Sequence, residues 1–226
     1  MLKSIKNFLL SLNPDIIVQA PSRINLINPL DAVEADFWMP SVAINGIKNP
    51  LSVFLYIKGI EGESRLKVFT VMKSKDQFLI EVKNEELLSI KKNQIKIKLN
   101  GENKLIYATI YRLCKMYSYF ESSLLNSNIE IGLISTIPEK SGLGGSAAII
   151  IALLYGLTKF FDLYNNIRVL KENELPINRD IIAEIATKIE DEDLKITAGY
   201  ADRYVISRGG LCFCSYQGKL YHKALS

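Results

Sequence analysis

The stretch "IPEKSGLGGSAAIII" (residues 137–151) decides how the rest of the chain is read. A proline and a short polar spacer lead into a glycine-rich knot, then into a run of small and then large apolar residues. Glycine tolerates positive φ and lets a backbone approach a ligand closely. Successive N–H groups in such a turn can face inward onto an anion. The apolar run beyond reads as a buried helix, whose first turn adds unpaired N–H groups and the positive end of a dipole. The stretch is thus a strand-to-helix turn with the means to hold phosphate.

Three patterns of that kind can be told apart by their fixed places. A Walker A loop needs Gly-Lys-Ser/Thr after its first glycine, and here Lys140 precedes the glycines. A dinucleotide fingerprint, G-x-G-x-x-G/A, is met by Gly142, Gly144 and Ala147, with Asp162 twenty residues beyond Gly142. It wants its first glycine tight on the strand end, however, and Pro138 to Ser141 intervene. An NAD(P)-binding oxidoreductase is carried as an alternative on that spacing. The third pattern, P-x-x-x-G-L-G-x-S-A-A, is met at every fixed place by Pro138, Gly142, Leu143, Gly144, Ser146, Ala147 and Ala148. Pro138, Ser141, Gly142, Leu143, Gly144, Gly145, Ser146 and Ala147 are therefore the candidate phosphate-binding residues. The Ser146 hydroxyl, in the first helical turn, is also a candidate Mg²⁺ ligand.

Upstream of the loop, "DIIVQA", "LSVFLYIKG", "RLKVFTVM", "QFLIEV" and "QIKIKL" are short, β-branched-rich and partly alternating, and predict strands. "ENKLIYATIYRLCKMYSYFE" has apolar residues at helical spacing and predicts one helix of roughly five turns. "NIEIGLISTIP" predicts a strand that puts Ile129, Ile131 and Leu133 on one face and that Pro138 closes. "NRDIIAEIATKIEDEDL" predicts a helix capped by Asn178 with Asp180 in its first turn. "RGGLCFCSYQGKLYHKALS" predicts a hairpin. Strands mostly precede helices, which makes the chain α+β, read as one domain over residues 1–226.

Composition narrows the class. The net charge of +4 is spread over many lysines with no basic block, so it suits an anionic small molecule and not nucleic acid. "MLKSIKNFLLSLN" reads as an amphipathic helix, not a signal peptide, and the most apolar run is too short to cross a bilayer. The three cysteines and the single histidine, His222, supply no paired metal-binding spacing. Reduced cysteines fit a cytoplasmic protein. No nucleic-acid or membrane partner is expected, and the protein is expected to be a monomer or homodimer.

"PEKSGLGGSAA" resembles the central ATP-binding motif of the galactokinase, homoserine kinase, mevalonate kinase and phosphomevalonate kinase (GHMP) superfamily. The family usually has two serines after the second glycine, and here the first is Gly145. "IEDEDLKITAGYADRYVISRGGLCF" is similar to a later family segment. That likeness implies Glu190 as a Mg²⁺ ligand, Asp202 as the catalytic base twelve residues on, and glycines at 199, 209 and 210. "APSRINLINPLDAVEADFWMPSVAI" looks like the first family motif, one residue short of the sugar-kinase version. It implies Arg23, Asn28 and Asp31, with Gly199, on the substrate side. The pattern "ADRY…RGGLCF" is most like the sugar kinases, such as glucuronokinase and heptose-phosphate kinase.

The resemblance implies a ribosomal protein S5 domain 2-like N-terminal domain, with the family's C-terminal domain lacking from this sequence. It further implies ATP, Mg²⁺ and transfer of the γ-phosphoryl group to a hydroxyl of a sugar or sugar acid. A mevalonate-type kinase and a non-catalytic nucleotide-binding protein or fragment are the related alternatives.

Overall fold

The computed structural model describes residues 1–26, 38–46, 48–74, 77–196 and 200–215. Its strands are β1 (Ile16–Asn25), β2 (Trp38–Ile44), β3 (Ser52–Gly59), β4 (Arg65–Ser74), β5 (Gln77–Leu87), β6 (Ile129–Ser135) and β7 (Leu211–Ser215). They form one sheet in the order β5-β4-β6-β3-β1-β2-β7. Every pairing is antiparallel except β4 with β6, which is parallel. The helices are α1 (Leu2–Ser11), α2 (Lys92–Lys98), α3 (Lys104–Met116), α4 (Ser118–Leu125), α5 (Gly145–Phe160), α6 (Arg179–Lys188) and α7 (Tyr200–Arg208), with a π-helical turn at Ile189–Asp193.

The alternation of side chains explains both layers. In β3, Val53, Leu55 and Ile57 join the main core with α3 and α5, while Phe54 and Tyr56 face the other way onto Ile5 and Leu9 of α1. All five are buried, as a central strand covered on both faces requires. Helix α5 lies close to the sheet because Gly156 leaves room: a Cβ there would sit 2.6 Å from Leu55 Cδ2. Across the sheet, Gly132 of β6 is covered by the Tyr56 ring, and a Cβ would sit 1.8 Å from its Cε1.

Most expected elements occur. The N-terminal amphipathic helix buries Ile5 and Leu9. Asn178 caps α6, its side chain accepting from the N–H groups of Asp180 and Ile181, both at 3.0 Å.

Two expectations are corrected. "QIKIKL" is helix α2 and not a strand. A strand would put Ile95 and Ile97 on one face, whereas Ile95 is 0% exposed and Ile97 78% exposed, as residues two apart on a helix must differ. The single long helix is two, α3 and α4, broken at Tyr117, whose backbone is extended (φ −128°, ψ 108°). Glu174 takes up the break, accepting from the Ser118 N–H at 2.9 Å and from its hydroxyl at 3.1 Å. The first strand of the expected terminal hairpin is β7, which pairs with β2. The turn and second strand lie outside the described residues.

No helix among the described residues is long and apolar enough to cross a membrane.

Candidate active site

The stretch 137–151 links β6 to α5, and its root is fixed from β3. Thr136 Oγ1 accepts the Ser52 N–H at 3.0 Å and donates to the Pro50 carbonyl at 2.6 Å. Beyond it the backbone needs left-handed geometry at Gly142 (φ 71°) and Gly144 (φ 74°), which glycine supplies without strain. Gly144 is the N-cap of α5, and no side chain caps that end. The first N–H groups of α5 have no acceptor within the helix, so they open toward whatever lies in front. Ala147 and Ala148 are buried beneath, and Ser146 is exposed in the first turn. The Ser141 hydroxyl turns back to the Pro138 carbonyl at 2.7 Å.

In front of the loop is a cleft of about 820 Å³, lined by the loop from Pro138 to Ser146, by Arg23 and Asp202, by Val68–Thr70 of β4 and by Asn103–Ile106 at the start of α3. Lys83, Lys104 and Lys140 bring further positive charge to its wall.

Arg23, on β1, ties the loop to α7. Its N–H donates to the Leu143 carbonyl at 3.2 Å. Its guanidinium donates to the Gly142 carbonyl and, through Nε and Nη2, to both carboxylate oxygens of Asp202. Helix α7 holds Asp202 in place from the other side. Ala201 and Val205 are fully buried, Tyr204 donates to Glu184, and Arg208 forms a two-pronged pair with Asp180 at 2.6 and 2.8 Å.

The acidic run at the end of α6 divides its labour. Arg112, nearly buried in α3, donates to Asp193 at 2.7 Å, to Glu192 at 2.8 Å and to the Lys188 carbonyl at 3.3 Å. Burial works against the Arg112 charge, but the Asp193 and Glu192 carboxylates outweigh it and hold the guanidinium above its ordinary range. Burial likewise acts to raise Glu192, and the Arg112 contact more than offsets it, holding that carboxyl below its usual range. Glu190 is 1% exposed and pairs with Arg203 of α7. Among the described residues no group of three or more His, Cys, Asp or Glu could hold a metal ion.

Pro138, Ser141, Gly142, Leu143, Gly144, Gly145, Ser146, Arg23 and Asp202 thus meet at one cleft. Ala147 is buried under it, and Glu190 is not part of its wall. Asn28, Asp31 and Gly199 lie outside the described residues. The glycine cradle with its uncapped helix end fits a polyphosphate. The pair Ser146 and Glu190 does not fit one divalent cation in this fold, since the hydroxyl opens to the cleft and the carboxylate is closed off by Arg203. The sequence reading did not single out Lys83, Asn103, Lys104 or Arg203. Only Arg203 carried a signal, its place next to Asp202.

A glycine-rich strand-to-helix loop on a mixed sheet thus faces the Arg23–Asp202 pair across one cleft. Residues 104–210 match the family described as GHMP kinases N terminal domain. The chain is similar to D-glycero-alpha-D-manno-heptose 7-phosphate kinase of Campylobacter jejuni, at 28% identity over 119 residues, covering 52% of this chain and 30% of that protein. Among solved structures it resembles a D-glycero-D-manno-heptose 1-phosphate kinase from Bacteriodes thetaiotaomicron (TM-score 0.60, 19% identity, 87% of this chain and 55% of the other). It also resembles the Methanococcus jannaschii mevalonate kinase (TM-score 0.56, 20% identity, 89% and 53%). The chain therefore spans about half the length of these structures and less of the curated relative. The NAD(P) alternative fails on topology: β6 lies between antiparallel β3 and parallel β4, so the loop does not sit in a doubly wound parallel sheet.

Proposed function

We propose that this chain serves an ATP-dependent small-molecule kinase that transfers the γ-phosphoryl group to a hydroxyl of a sugar or sugar acid. The observation that carries the reading is the meeting of the uncapped α5 N-terminus and the Arg23–Asp202 pair at one cleft. The named likeness to a heptose-phosphate kinase favours a sugar-type acceptor.

In this reading the N–H groups of Gly144 to Ala147 and the α5 dipole bind the phosphates. Arg23 adds fixed positive charge and shapes the loop through its Gly142 and Leu143 contacts. The acceptor oxygen attacks the γ-phosphorus, the bond to the ADP oxygen breaks, and the hydroxyl proton leaves toward Asp202. Both Asp202 oxygens already accept from Arg23, but each keeps a further lone pair for the hydroxyl. Asp202 therefore orients the nucleophile, and catalysis comes mostly from positioning and charge. Asn28, Asp31 and Gly199 are assigned to the acceptor side. GHMP kinases in general use ATP with Mg²⁺, and here the cation would come with the nucleotide.

The test is phosphoryl transfer from ATP by the full-length protein to heptose phosphates, other sugars, sugar acids and mevalonate, for wild type and Asp202→Ala. Loss of turnover on one sugar class in the variant, with ATP binding retained, is expected. Near-wild-type turnover by Asp202→Ala, or transfer to mevalonate alone, would overturn the assignment.

A further inference from the structure

We propose that Arg203, and not a divalent cation, is the resident partner of Glu190, and that this arginine sets how little the site depends on a protein-held metal. The inference deepens the kinase reading and rests on it only for the role of the nucleotide.

Four charges run from the π-helical turn to the cleft. Glu190 is 1% exposed, Arg203 3% and Asp202 9%, and Arg23 closes the series at the loop. Arg203 forms an ion pair with Glu190 through Nη2, without a hydrogen bond to that Oε2, and its Nη1 lies 3.9 Å from Asp202 Oδ2. Asp202 takes the guanidinium of Arg23, which reaches the Gly142 carbonyl. The signs alternate, so the series is neutral without a further ion. A buried carboxylate needs a cationic or hydrogen-bonding partner, and α7 supplies one beside Asp202.

A guanidinium and a divalent cation are rivals for that carboxylate. The guanidinium is always charged and already in place. A cation held with nucleotide phosphates would need only one or two protein carboxylates, and at Glu190 the Arg203 guanidinium already occupies that place. To bind Glu190, a cation would have to displace Arg203 from this ion pair. The π-helical turn cannot readily swing Glu190 outward either, because Arg112 holds Glu192 and Asp193 on the same turn at 2.8 and 2.7 Å. Fixed positive charge beside the phosphates thus comes from arginine, relayed through Asp202.

The experiment is Mn²⁺ binding to the full-length protein without nucleotide, followed by the paramagnetic resonance of the free ion. Wild type, Arg203→Gln, Glu190→Gln and the double variant are compared. Wild type and Glu190→Gln should bind Mn²⁺ equally weakly. Arg203→Gln should bind about tenfold more tightly, the scale on which one ligand or its partner tunes a metal site. It should also gain a Mg²⁺-dependent rise in melting temperature, and the double variant should lose both gains. Weaker Mn²⁺ binding by Glu190→Gln than by wild type would overturn the proposal, as would a folded Arg203→Gln with no gain. The Glu190→Gln comparison decides the matter even if Arg203→Gln does not fold. An ATP titration with saturating Mg²⁺ separates the two readings: no ATP binding with these Mn²⁺ results intact sinks the kinase reading and leaves the Arg203–Glu190 assignment standing.

Discussion

Gly144 and Gly145 are neighbours in the glycine knot, and the structure predicts opposite responses to a side chain. Gly144 sits at φ 74°, and a Cβ there would lie 3.2 Å from Arg23 Cγ and 3.3 Å from Ile206 Cδ1. Left-handed geometry costs an L-residue roughly 1–2 kcal/mol. The steric term falls on Arg23, whose Cγ must give by a few tenths of an ångström, loosening the guanidinium from Gly142 and Asp202. Gly144→Ala should therefore destabilise the chain by about 2 kcal/mol. Where the free loop relaxes to relieve this strain, the cost moves from stability to binding, and nucleotide affinity falls by up to roughly thirtyfold instead, since 1.4 kcal/mol is about tenfold. Gly145 is already helical, and a Cβ there meets Ile137 Cγ2 at 3.5 Å, an ordinary contact. Gly145→Ser should change stability by no more than about 0.5 kcal/mol and leave affinity intact. Thermal melts and calorimetric ATP titrations of both variants make the comparison. A Gly144→Ala protein with wild-type melting and affinity would refute the argument, and so would a Gly145→Ser protein as impaired as Gly144→Ala.

Three further outcomes follow from the packing. Gly132→Ala forces a Cβ to within 1.8 Å of the Tyr56 ring and should lose roughly 3 kcal/mol, the upper range for overpacking, in urea unfolding. Asn178→Ala removes the cap accepting from Asp180 and Ile181 and should cost about 1 kcal/mol, while Asn178→Asp restores it. Burial pushes the Tyr107 and Tyr117 hydroxyls from 10.0 up to about 12, with the Glu86 charge adding at Tyr107 and the Glu174 charge at Tyr117. A folded value above the unfolded one means the contribution is full below pH 10 and is lost as pH rises toward 12. Each group thus costs roughly 3 kcal/mol by the end of that window. Urea midpoints followed with tyrosinate absorbance should fall together there, and a flat profile would count against the assignment.

The elements most legible in the sequence are those whose pattern is dictated locally. Alternating β-branched runs marked β1, β3, β4, β5 and β6, and a cap with helical spacing marked α6. The failures have tertiary causes. "QIKIKL" alternates like a strand, but only Ile95 finds a core position, and the segment coils to bury it while Ile97 faces water. The Tyr117 break is set by Glu174, 57 residues away in sequence. Strand β2 and helix α7 lacked a self-contained pattern, because β2 is completed by β1 and β7 and α7 packs on α5 and α6.

The site divides along the same line. The loop was legible because φ requirements and a helix start are local, and glycine writes both into the sequence. The roles of the acids were not, because spacing along the chain says nothing of which cation each one meets. Four consecutive acids, Glu190 to Asp193, look interchangeable on paper. In the fold Glu192 and Asp193 turn toward Arg112 on α3, and Glu190 turns toward Arg203 on α7. Arg112 lies 81 residues from Asp193, and Arg203 thirteen from Glu190. A likeness of motif assigns Glu190 to a metal on the strength of its spacing to Asp202. The same spacing also carries an arginine one residue past Asp202 straight onto that glutamate. Two cationic partners are thus compatible with one sequence pattern, and only the three-dimensional pairing of α7 with the π-helical turn chooses between them.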